Sequence, residues 1–293
     1  MAINLKGTGV AIVTPFNTKN EVDYASLTKL LEHIITNKVE YVVVLGTTGE
    51  SVTLSKEEKK GIVKHVVLTV NSRVPIVLGL GGNNTAEIIE ALENTDFSGI
   101  SAILSVSPYY NKPTQEGIYQ HYKLIAEKSP LPIILYNVPG RTASNITAAT
   151  TLRLANDFKN IIAIKEASGI LEQSMQIIKN RPSGFLVISG DDNLTLPIMA
   201  AGGDGVISVV ANAFPKEFSE MVRKCLANDF NGARELHYKT FEITEQLFAD
   251  GNPGGIKAAL KLLNICEDAI RLPLVKVNSN VFNKLEELVK KNS

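Results

Sequence analysis

The sequence predicts a (β/α)8, or TIM, barrel followed by a helical C-terminal extension. Three observations lead to this prediction. Eight short apolar runs recur along the first three quarters of the chain, most of them lack polar alternation, and segments of helical periodicity lie between them. Parallel strands covered on both faces have this continuous apolar pattern. We therefore expect a catalytic barrel over residues 1–214 and an extension over residues 215–293, packed on the barrel.

The predicted strands are rich in Val and Ile and often end at Gly or Pro. In order, they are GVAIVTP (9–15), YVVVLG (41–46), PIVLGLG (75–81), SAILSVSP (101–108), PIILYNVP (132–139), IIAIKEA (161–167), FLVISGD (185–191) and GVISVVA (205–211).

The intervening segments have helical signals. Asp23 is a plausible N-cap for a first helix whose apolar stripe comprises Leu27, Leu30, Leu31 and Ile34. Ser55 and Glu58 form a capping-box pattern at the start of the second. Similar stretches occupy about 85–95, 114–128, 147–156, 171–180 and 193–201, and helical patterns continue without strands after residue 215.

A doubly wound open sheet is the competing fold. Such a sheet usually has a glycine-rich nucleotide loop after its first strand. Here that turn is VTPFNTKNEVD, which contains no glycine, and GLGGN at 79–83 matches the dinucleotide fingerprint only in part. The barrel is therefore favoured.

Composition excludes several classes of protein. Thirty basic and thirty acidic residues cancel, so nothing indicates a nucleic-acid partner. No run approaches the 18 to 20 apolar residues of a membrane span, and the N-terminal stretch does not resemble a secretory signal. We expect a cytoplasmic protein in which Cys225 and Cys266 are free thiols, although a disulfide between them stays open at this point.

Chemistry in such barrels takes place where strands end and the following loops begin. Distinctive groups stand at these positions: Thr47 and Thr48, Tyr109 and Tyr110, Tyr136 and Arg141, Lys165, Gly190 and Asp191, and Ile207 and Ser208.

Lys165 is the most informative of them because it ends an apolar strand. Alternation places it on one face with Ile161 and Ala163, and Glu166 on the other, so Glu166 cannot simply neutralise it. If that face is interior, desolvation disfavours the ammonium and leaves an amine able to form a Schiff base with a carbonyl compound. The alternative is a lysine that reaches the barrel mouth as a surface ion-pair partner.

Neighbouring groups support the Schiff-base interpretation. Tyr136 on the preceding strand could act as acid and base near the lysine, or simply pack in the core. Arg141 suits carboxylate recognition, although most arginines are surface residues. Asp191 and Asp192 raise the question of a metal, but all four histidines fall in predicted helices away from them. We therefore expect neither a metal nor an organic cofactor.

Together these segments resemble the dihydrodipicolinate synthase family over essentially the whole chain. The resemblance rests on GTTGES at 46–51, SPYYNKPTQEG at 107–117, YNVPGRT at 136–142, IKEASG at 164–169 and SGDD at 189–192. Several ordered motifs make it highly specific.

The resemblance implies a reaction and a role for each residue. Lys165 would form a Schiff base with pyruvate, and the enamine would attack L-aspartate 4-semialdehyde in lysine and diaminopimelate synthesis. Tyr136 would transfer protons through Thr47 and Tyr110, the latter from a neighbouring subunit of a homotetramer built as a dimer of dimers. Thr48 and Ile207 would hold the pyruvate carboxylate, Arg141 the semialdehyde carboxylate, and Gly190 would line the substrate site.

The resemblance also implies an allosteric lysine site at Ser51, Lys56, Asn83, Glu87 and Tyr109. Two positions often occupied by histidine in lysine-sensitive relatives are Lys56 and Lys59 here. Extra ammonium groups should repel a cationic ligand, so we predict weak or absent feedback by lysine.

Ala143 and the pair Gly254 and Gly255 depart from the family pattern, and we expect neither departure to abolish activity.

Two alternative functions stay open at this point. The first is an N-acetylneuraminate lyase or a 2-keto-3-deoxy sugar acid aldolase, which generally lack the Arg141 and paired-tyrosine features. The second is a non-catalytic regulator that binds 2-oxo acids, which would not need the proton relay.

Overall fold

The computed structural model describes residues 3–292 and contains a closed barrel of eight parallel strands. Each strand pairs with the next, and the eighth pairs with the first. The strands are β1 (Gly7–Ala11), β2 (Tyr41–Val44), β3 (Ile76–Gly79), β4 (Ala102–Val106), β5 (Ile133–Asn137), β6 (Ile161–Glu166), β7 (Leu186–Ser189) and β8 (Gly205–Ser208). Every predicted run overlaps a strand, although β1 begins two residues before its run, so the predicted barrel is confirmed.

Helices cover the barrel and continue beyond it. They are α1 (Tyr24–Thr36), α2 (Lys56–Val70), α3 (Thr85–Asn94), α4 (Gln115–Lys128), α5 (Pro139–Thr142), α6 (Ala148–Asp157), α7 (Leu171–Asn180), α8 (Thr195–Ala200), α9 (Pro215–Leu226), α10 (Phe230–Phe248), α11 (Gly254–Leu262) and α12 (Ser279–Asn292). Both predicted caps are present: Asp23 accepts from the Ser26 amide at 3.0 Å, and Ser55 and Glu58 form a reciprocal capping box.

Side chains fill the lower part of the barrel. Tyr41 is fully buried in the barrel interior at the start of β2. Gly9 on β1 is its register partner, and a Cβ at Gly9 would lie only 2.1 Å from the Tyr41 ring. The tyrosine therefore fills the barrel interior at the amino ends of these strands.

The C-terminal helices pack on the barrel and on one another. Helix α9 packs against β1, and α10, α11 and α12 contact each other and share one hydrophobic core with α1 and α2. The C-terminal extension is thus present, while its division from the barrel at residue 214 stays a prediction. Cys225 and Cys266 are buried free thiols, and burial raises the pKa of Cys225 to about 11. No helix between residues 3 and 292 is both long and apolar enough to span a membrane.

Candidate active site

Lys165 and Tyr136 stand opposite each other at the upper end of the barrel. They are register partners on β6 and β5, and only 5% and 7% of their surfaces are exposed. The Lys165 Nζ lies 4.2 Å from the centroid of the Tyr136 ring. Lys165 shares its strand face with Ala163, a member of the barrel-interior cluster, so its side chain points inward rather than into a surface ion pair.

No protein group within residues 3–292 forms a hydrogen bond or an ion pair with the Lys165 amine. The other buried lysine behaves differently, because the Lys257 Nζ donates to Glu50 and to the carbonyl oxygen of Ala269. Buried cations are normally paired in this second way. The unpaired amine of Lys165 is therefore free to react with a ligand.

Gly190 lies beside the Lys165 side chain, and Ile207 faces the same barrel interior. A Cβ at Gly190 would lie 3.0 Å from the Lys165 Cε and 2.6 Å from the Ala167 Cβ, so only glycine leaves room for the lysine side chain. Ile207 is buried on the inner face of β8. Both residues thus lie in or beside the barrel interior, and their role in binding substrate stays a prediction.

Thr47 and Thr48 lie in a short 3-10 turn, Thr47–Gly49, that follows β2. Thr48 is buried, and its Oγ1 accepts a hydrogen bond from the Asn252 Nδ2 at 2.9 Å. Glu50 ends the turn in the left-handed conformation at φ 52°. The turn therefore presents one half-buried and one buried hydroxyl at the barrel mouth.

The hydroxyls of the predicted proton relay are not joined within this chain. Among the described residues, Thr47, Tyr136 and Tyr110 make no side-chain hydrogen bonds with one another. Tyr110 is 88% exposed at φ 73°, and its backbone N–H donates to the carbonyl oxygen of Thr142 at 3.3 Å. The relay therefore stays a prediction, and Tyr110 is free to contact another molecule.

Arg141 lies in the one-turn helix α5 and is exposed at the barrel mouth. Its Nη2 donates to the backbone oxygen of Asn252 at 3.5 Å. Ala143, which follows this helix, has the left-handed φ of 55°. A glycine adopts that conformation without strain, whereas a Cβ disfavours it by about 1 kcal/mol.

A buried polar network behind Lys165 and Tyr136 was not foreseen from the sequence. Glu166 points away from the barrel interior and accepts from the Asn137 Nδ2 at 3.0 Å, the Gln173 Nε2 at 2.9 Å and the Ser168 amide at 2.7 Å. Asn137 and Glu166 directly follow Tyr136 and Lys165 and are themselves register partners. The network thus holds β5 and β6 together behind Tyr136 and Lys165, and its only sequence signal is a pair of polar residues ending two apolar strands.

The acidic pair after β7 has structural partners. Asp192 is buried and accepts from the Ser208 Oγ at 2.5 Å and the Val209 amide at 3.1 Å, and burial raises its pKa to about 6. Asp191 accepts from the backbone amides of Asn193 and Leu194. Within residues 3–292, no group of three or more His, Cys, Asp or Glu side chains is arranged to hold a metal ion.

The predicted allosteric residues lie in several elements: Asn83 and Tyr109 are in loops, Ser51 is in a short 3-10 turn, and Lys56 and Glu87 are in the first turns of α2 and α3. The structure brings Asn83 and Tyr109 together, since the Asn83 Nδ2 donates to the Tyr109 carbonyl oxygen at 3.1 Å. Glu87 accepts from Asn84, the residue next to Asn83, at 2.9 Å. Within the described chain, Ser51 and Lys56 form no hydrogen bond or ion pair with this group. A lysine site at these positions therefore stays a prediction.

The sequence and the fold were compared with those of known proteins. Residues 4–292 match the model of the dihydrodipicolinate synthetase family. The 4-hydroxy-tetrahydrodipicolinate synthase of Parabacteroides distasonis is 54% identical over 99% of this chain and 98% of its own. The crystal structure of a Thermotoga maritima dihydrodipicolinate synthase, 39% identical, superposes with a TM-score of 0.96 over 100% of this chain and 99% of that one. An Acinetobacter baumannii dihydrodipicolinate synthase complexed with pyruvate, 41% identical, has a TM-score of 0.95 over 99% of both chains.

Proposed function

Because this chain belongs to the dihydrodipicolinate synthetase family, we propose that Lys165 is the residue that carries its reaction, by forming a Schiff base with pyruvate. The reaction is that of the 4-hydroxy-tetrahydrodipicolinate synthases, a Schiff-base-forming lyase reaction of lysine and diaminopimelate biosynthesis. The single observation that supports the role of Lys165 is a buried amine that lies over the Tyr136 ring and has no hydrogen-bond or ion-pair partner among residues 3–292.

The first half of the reaction activates pyruvate. The Lys165 amine attacks the ketone carbon of pyruvate, and loss of water from the carbinolamine leaves an iminium ion. Removal of a proton from the methyl carbon converts this ion into an enamine. Tyr136 is within reach of these atoms and supplies and accepts the protons.

The second half forms a carbon–carbon bond and releases the enzyme. The enamine carbon attacks the aldehyde of L-aspartate 4-semialdehyde, and the resulting alkoxide takes up a proton. The amino group of the former semialdehyde then attacks the iminium carbon, which closes the ring and frees the Lys165 amine. No metal or organic cofactor takes part in this scheme, because the iminium nitrogen itself withdraws the electrons.

Other residues bind the substrates. Thr48 and the backbone at Ile207 hold the pyruvate carboxylate, Gly190 leaves the space for the adduct, and Arg141 holds the semialdehyde carboxylate. A guanidinium at the exposed mouth suits the second substrate, which arrives after pyruvate has bound at the buried lysine.

Tyr110 completes the proton relay of a neighbouring subunit in this proposal. A tyrosine that is 88% exposed beside Tyr109, which is 36% exposed, leaves apolar surface available for a second copy of the chain. The relay then runs from Tyr136 through Thr47 to the neighbour's tyrosine in a cytoplasmic homotetramer built as a dimer of tight dimers.

Borohydride reduction in the presence of pyruvate tests the proposal. Reduction should attach pyruvate to the peptide that contains Lys165, and Lys165→Ala should take up no label. Lys159→Ala is the matched control, since this exposed lysine lies just before the same strand and its loss should leave labelling intact. Label on another lysine, or turnover of sialic acid instead of pyruvate and aspartate semialdehyde, would contradict the proposal.

A further inference from the structure

Asn252, a residue of the C-terminal extension, contacts the candidate active site. It precedes α11, is 8% exposed, and contacts two residues of the proposed substrate site. Its Nδ2 donates to the Thr48 Oγ1 at 2.9 Å, and its backbone oxygen accepts from the Arg141 Nη2 at 3.5 Å. One residue thus touches both the group proposed to bind pyruvate and the group proposed to bind the semialdehyde.

The direction of the bond to Thr48 decides what the threonine can do. A hydroxyl has one proton to donate, and it accepts through its lone pairs. Since Thr48 accepts from Asn252, its own proton is not used in this contact. No acceptor for that proton exists among the described residues, so the hydroxyl is free to donate to an anionic ligand.

The amide of Asn252 is not arranged for the best stability. Its Oδ1 is buried and has no hydrogen-bond partner within residues 3–292. A buried acceptor without a partner is unfavourable, and packing alone would be served equally well by an apolar side chain of similar size. A side chain that keeps such an atom is better explained by what its Nδ2 does.

The loop around Asn252 is held firmly on both sides. Before it, the Asp250 carboxylate accepts from the Asn278 amide at 2.7 Å. After it, a Cβ at Gly255 would lie 2.1 Å from the Leu247 carbonyl oxygen, so α11 begins in direct contact with the end of α10. Both contacts lie within the extension, and the buried ion pair between Lys257 on α11 and Glu50 joins the extension to the turn that carries Thr48.

We propose that Asn252 is a positioning residue: by donating to the Thr48 oxygen, it orients the Thr48 hydroxyl so that its proton can be donated to the pyruvate carboxylate. The inference rests on the proposed function, since it assumes that pyruvate binds at Thr48. Through Asn252, the C-terminal extension would help to orient a substrate-binding group of the barrel. The amide donates to the threonine, the threonine donates to the substrate, and the backbone oxygen of the same residue steadies Arg141.

Asn252→Asp tests the direction of the bond because it keeps the shape and replaces the donor by an acceptor. The carboxylate would take the Thr48 proton away from pyruvate. A lost hydrogen bond to a charged group corresponds to about a tenfold to hundredfold rise in the pyruvate concentration that half-saturates borohydride trapping. Asn252→Leu removes the donor without adding an acceptor for the Thr48 proton, so it should raise this concentration less than Asn252→Asp does.

A double-mutant cycle separates this effect from simple charge repulsion. In a Thr48→Val background there is no hydroxyl to redirect, so adding Asn252→Asp should cost less than about threefold. An undiminished penalty in that background would overturn the proposal, because it would come from the charge alone.

Thermal unfolding of Asn252→Leu provides the second readout. Removing the unpartnered Oδ1 should leave the melting temperature unchanged or higher, while half-saturation by pyruvate still weakens. A variant that melts lower but traps pyruvate as the parent does would identify a merely structural amide and overturn the proposal, even if Asn252→Asp does not fold. If the parent chain itself takes up no pyruvate, the proposed function fails instead, so the two failures are distinct.

Discussion

Lys257 on α11 and Glu50 in the turn after β2 form an ion pair in which both side chains are inaccessible to solvent. The pair joins the C-terminal extension to the turn that carries Thr47 and Thr48. Burial lowers the pKa of Lys257, and the Glu50 carboxylate opposes part of that shift. The second Glu50 oxygen accepts from the Arg271 amide at 3.0 Å, and the Lys257 Nζ also lies 4.1 Å from the centroid of the Phe16 ring.

Removing one partner of this pair should be far more damaging than removing both. Lys257→Met leaves Glu50 as a buried unpaired charge, which typically costs about 3–5 kcal/mol of unfolding free energy. Lys257→Met combined with Glu50→Gln should recover a large part of that loss, because no charge is left in the interior. Urea unfolding at constant protein concentration measures both values. A double variant no more stable than the single one would contradict this view of the pair.

Tyr136→Phe should slow turnover strongly without abolishing the covalent adduct. Proton transfer by a positioned side chain typically contributes about 10²- to 10⁴-fold, so kcat should fall by that order while borohydride still traps pyruvate on Lys165. Tyr122→Phe is the matched control. Tyr122 is also buried, but its hydroxyl donates to the Ser105 carbonyl oxygen at 2.9 Å and should affect stability rather than turnover. Equal kcat losses in the two variants would contradict the proposed proton transfer by Tyr136.

Co-expression of two inactive variants should restore activity if Tyr110 acts across a subunit interface. Tyr110→Phe lacks the phenol, and Lys165→Ala lacks the nucleophile. In a mixed dimer, the subunit with an intact Lys165 receives a normal Tyr110 from its neighbour, so one competent site forms. The measurement is the steady-state rate of the mixed assembly after it has been separated from the two single-variant assemblies. If Tyr110 serves its own chain, every site of the mixture lacks one group and the assembly stays inactive.

Asp192 should give the protein a specific pH dependence of stability. Its pKa is raised from 3.8 to about 6 in the folded state, so between these values folding takes up a proton. The contribution of Asp192 is therefore present below pH 4 and is lost as pH rises through about 6, by about 3 kcal/mol.

Urea unfolding at several pH values measures this contribution by comparing the parent with Asp192→Asn. The unfolding free energy of the parent minus that of Asp192→Asn should decrease between pH 4 and pH 7. Asp191→Asn serves as the control for a neighbouring charge and should retain the pH dependence of the parent. A difference between parent and Asp192→Asn that stays constant with pH would show that the carboxyl titrates normally.

Lysine should inhibit this enzyme weakly or not at all. Lys56 is exposed and Lys59 half-buried on the first turn of α2, where their ammonium groups would repel a bound lysine cation. Replacing both by histidine should lower the lysine concentration that half-inhibits turnover, and the effect should shrink at high salt. Inhibition of the unchanged enzyme by sub-millimolar lysine would refute the prediction.

The fold was predictable because its signals are local. Eight apolar runs, the Asp23 cap and the Ser55–Glu58 capping box depend on residues close together in the chain, and the structure contains all of them. Alternation along β6 likewise set Lys165 and Glu166 on opposite faces. What alternation could not determine was which face is interior, since that depends on how the whole barrel closes.

The sequence by itself determined the barrel and the family, and it predicted the reactive role of Lys165, because strand periodicity and contiguous motifs carry that information. Only the tertiary structure decided which residues support the site. Asn252 lies 204 positions after Thr48, and Lys257 lies 207 after Glu50, yet each pair is hydrogen-bonded. Contacts between such distant residues form only when α11 and the loop before it pack against the turn after β2. No local sequence pattern specifies which side chains that packing brings together.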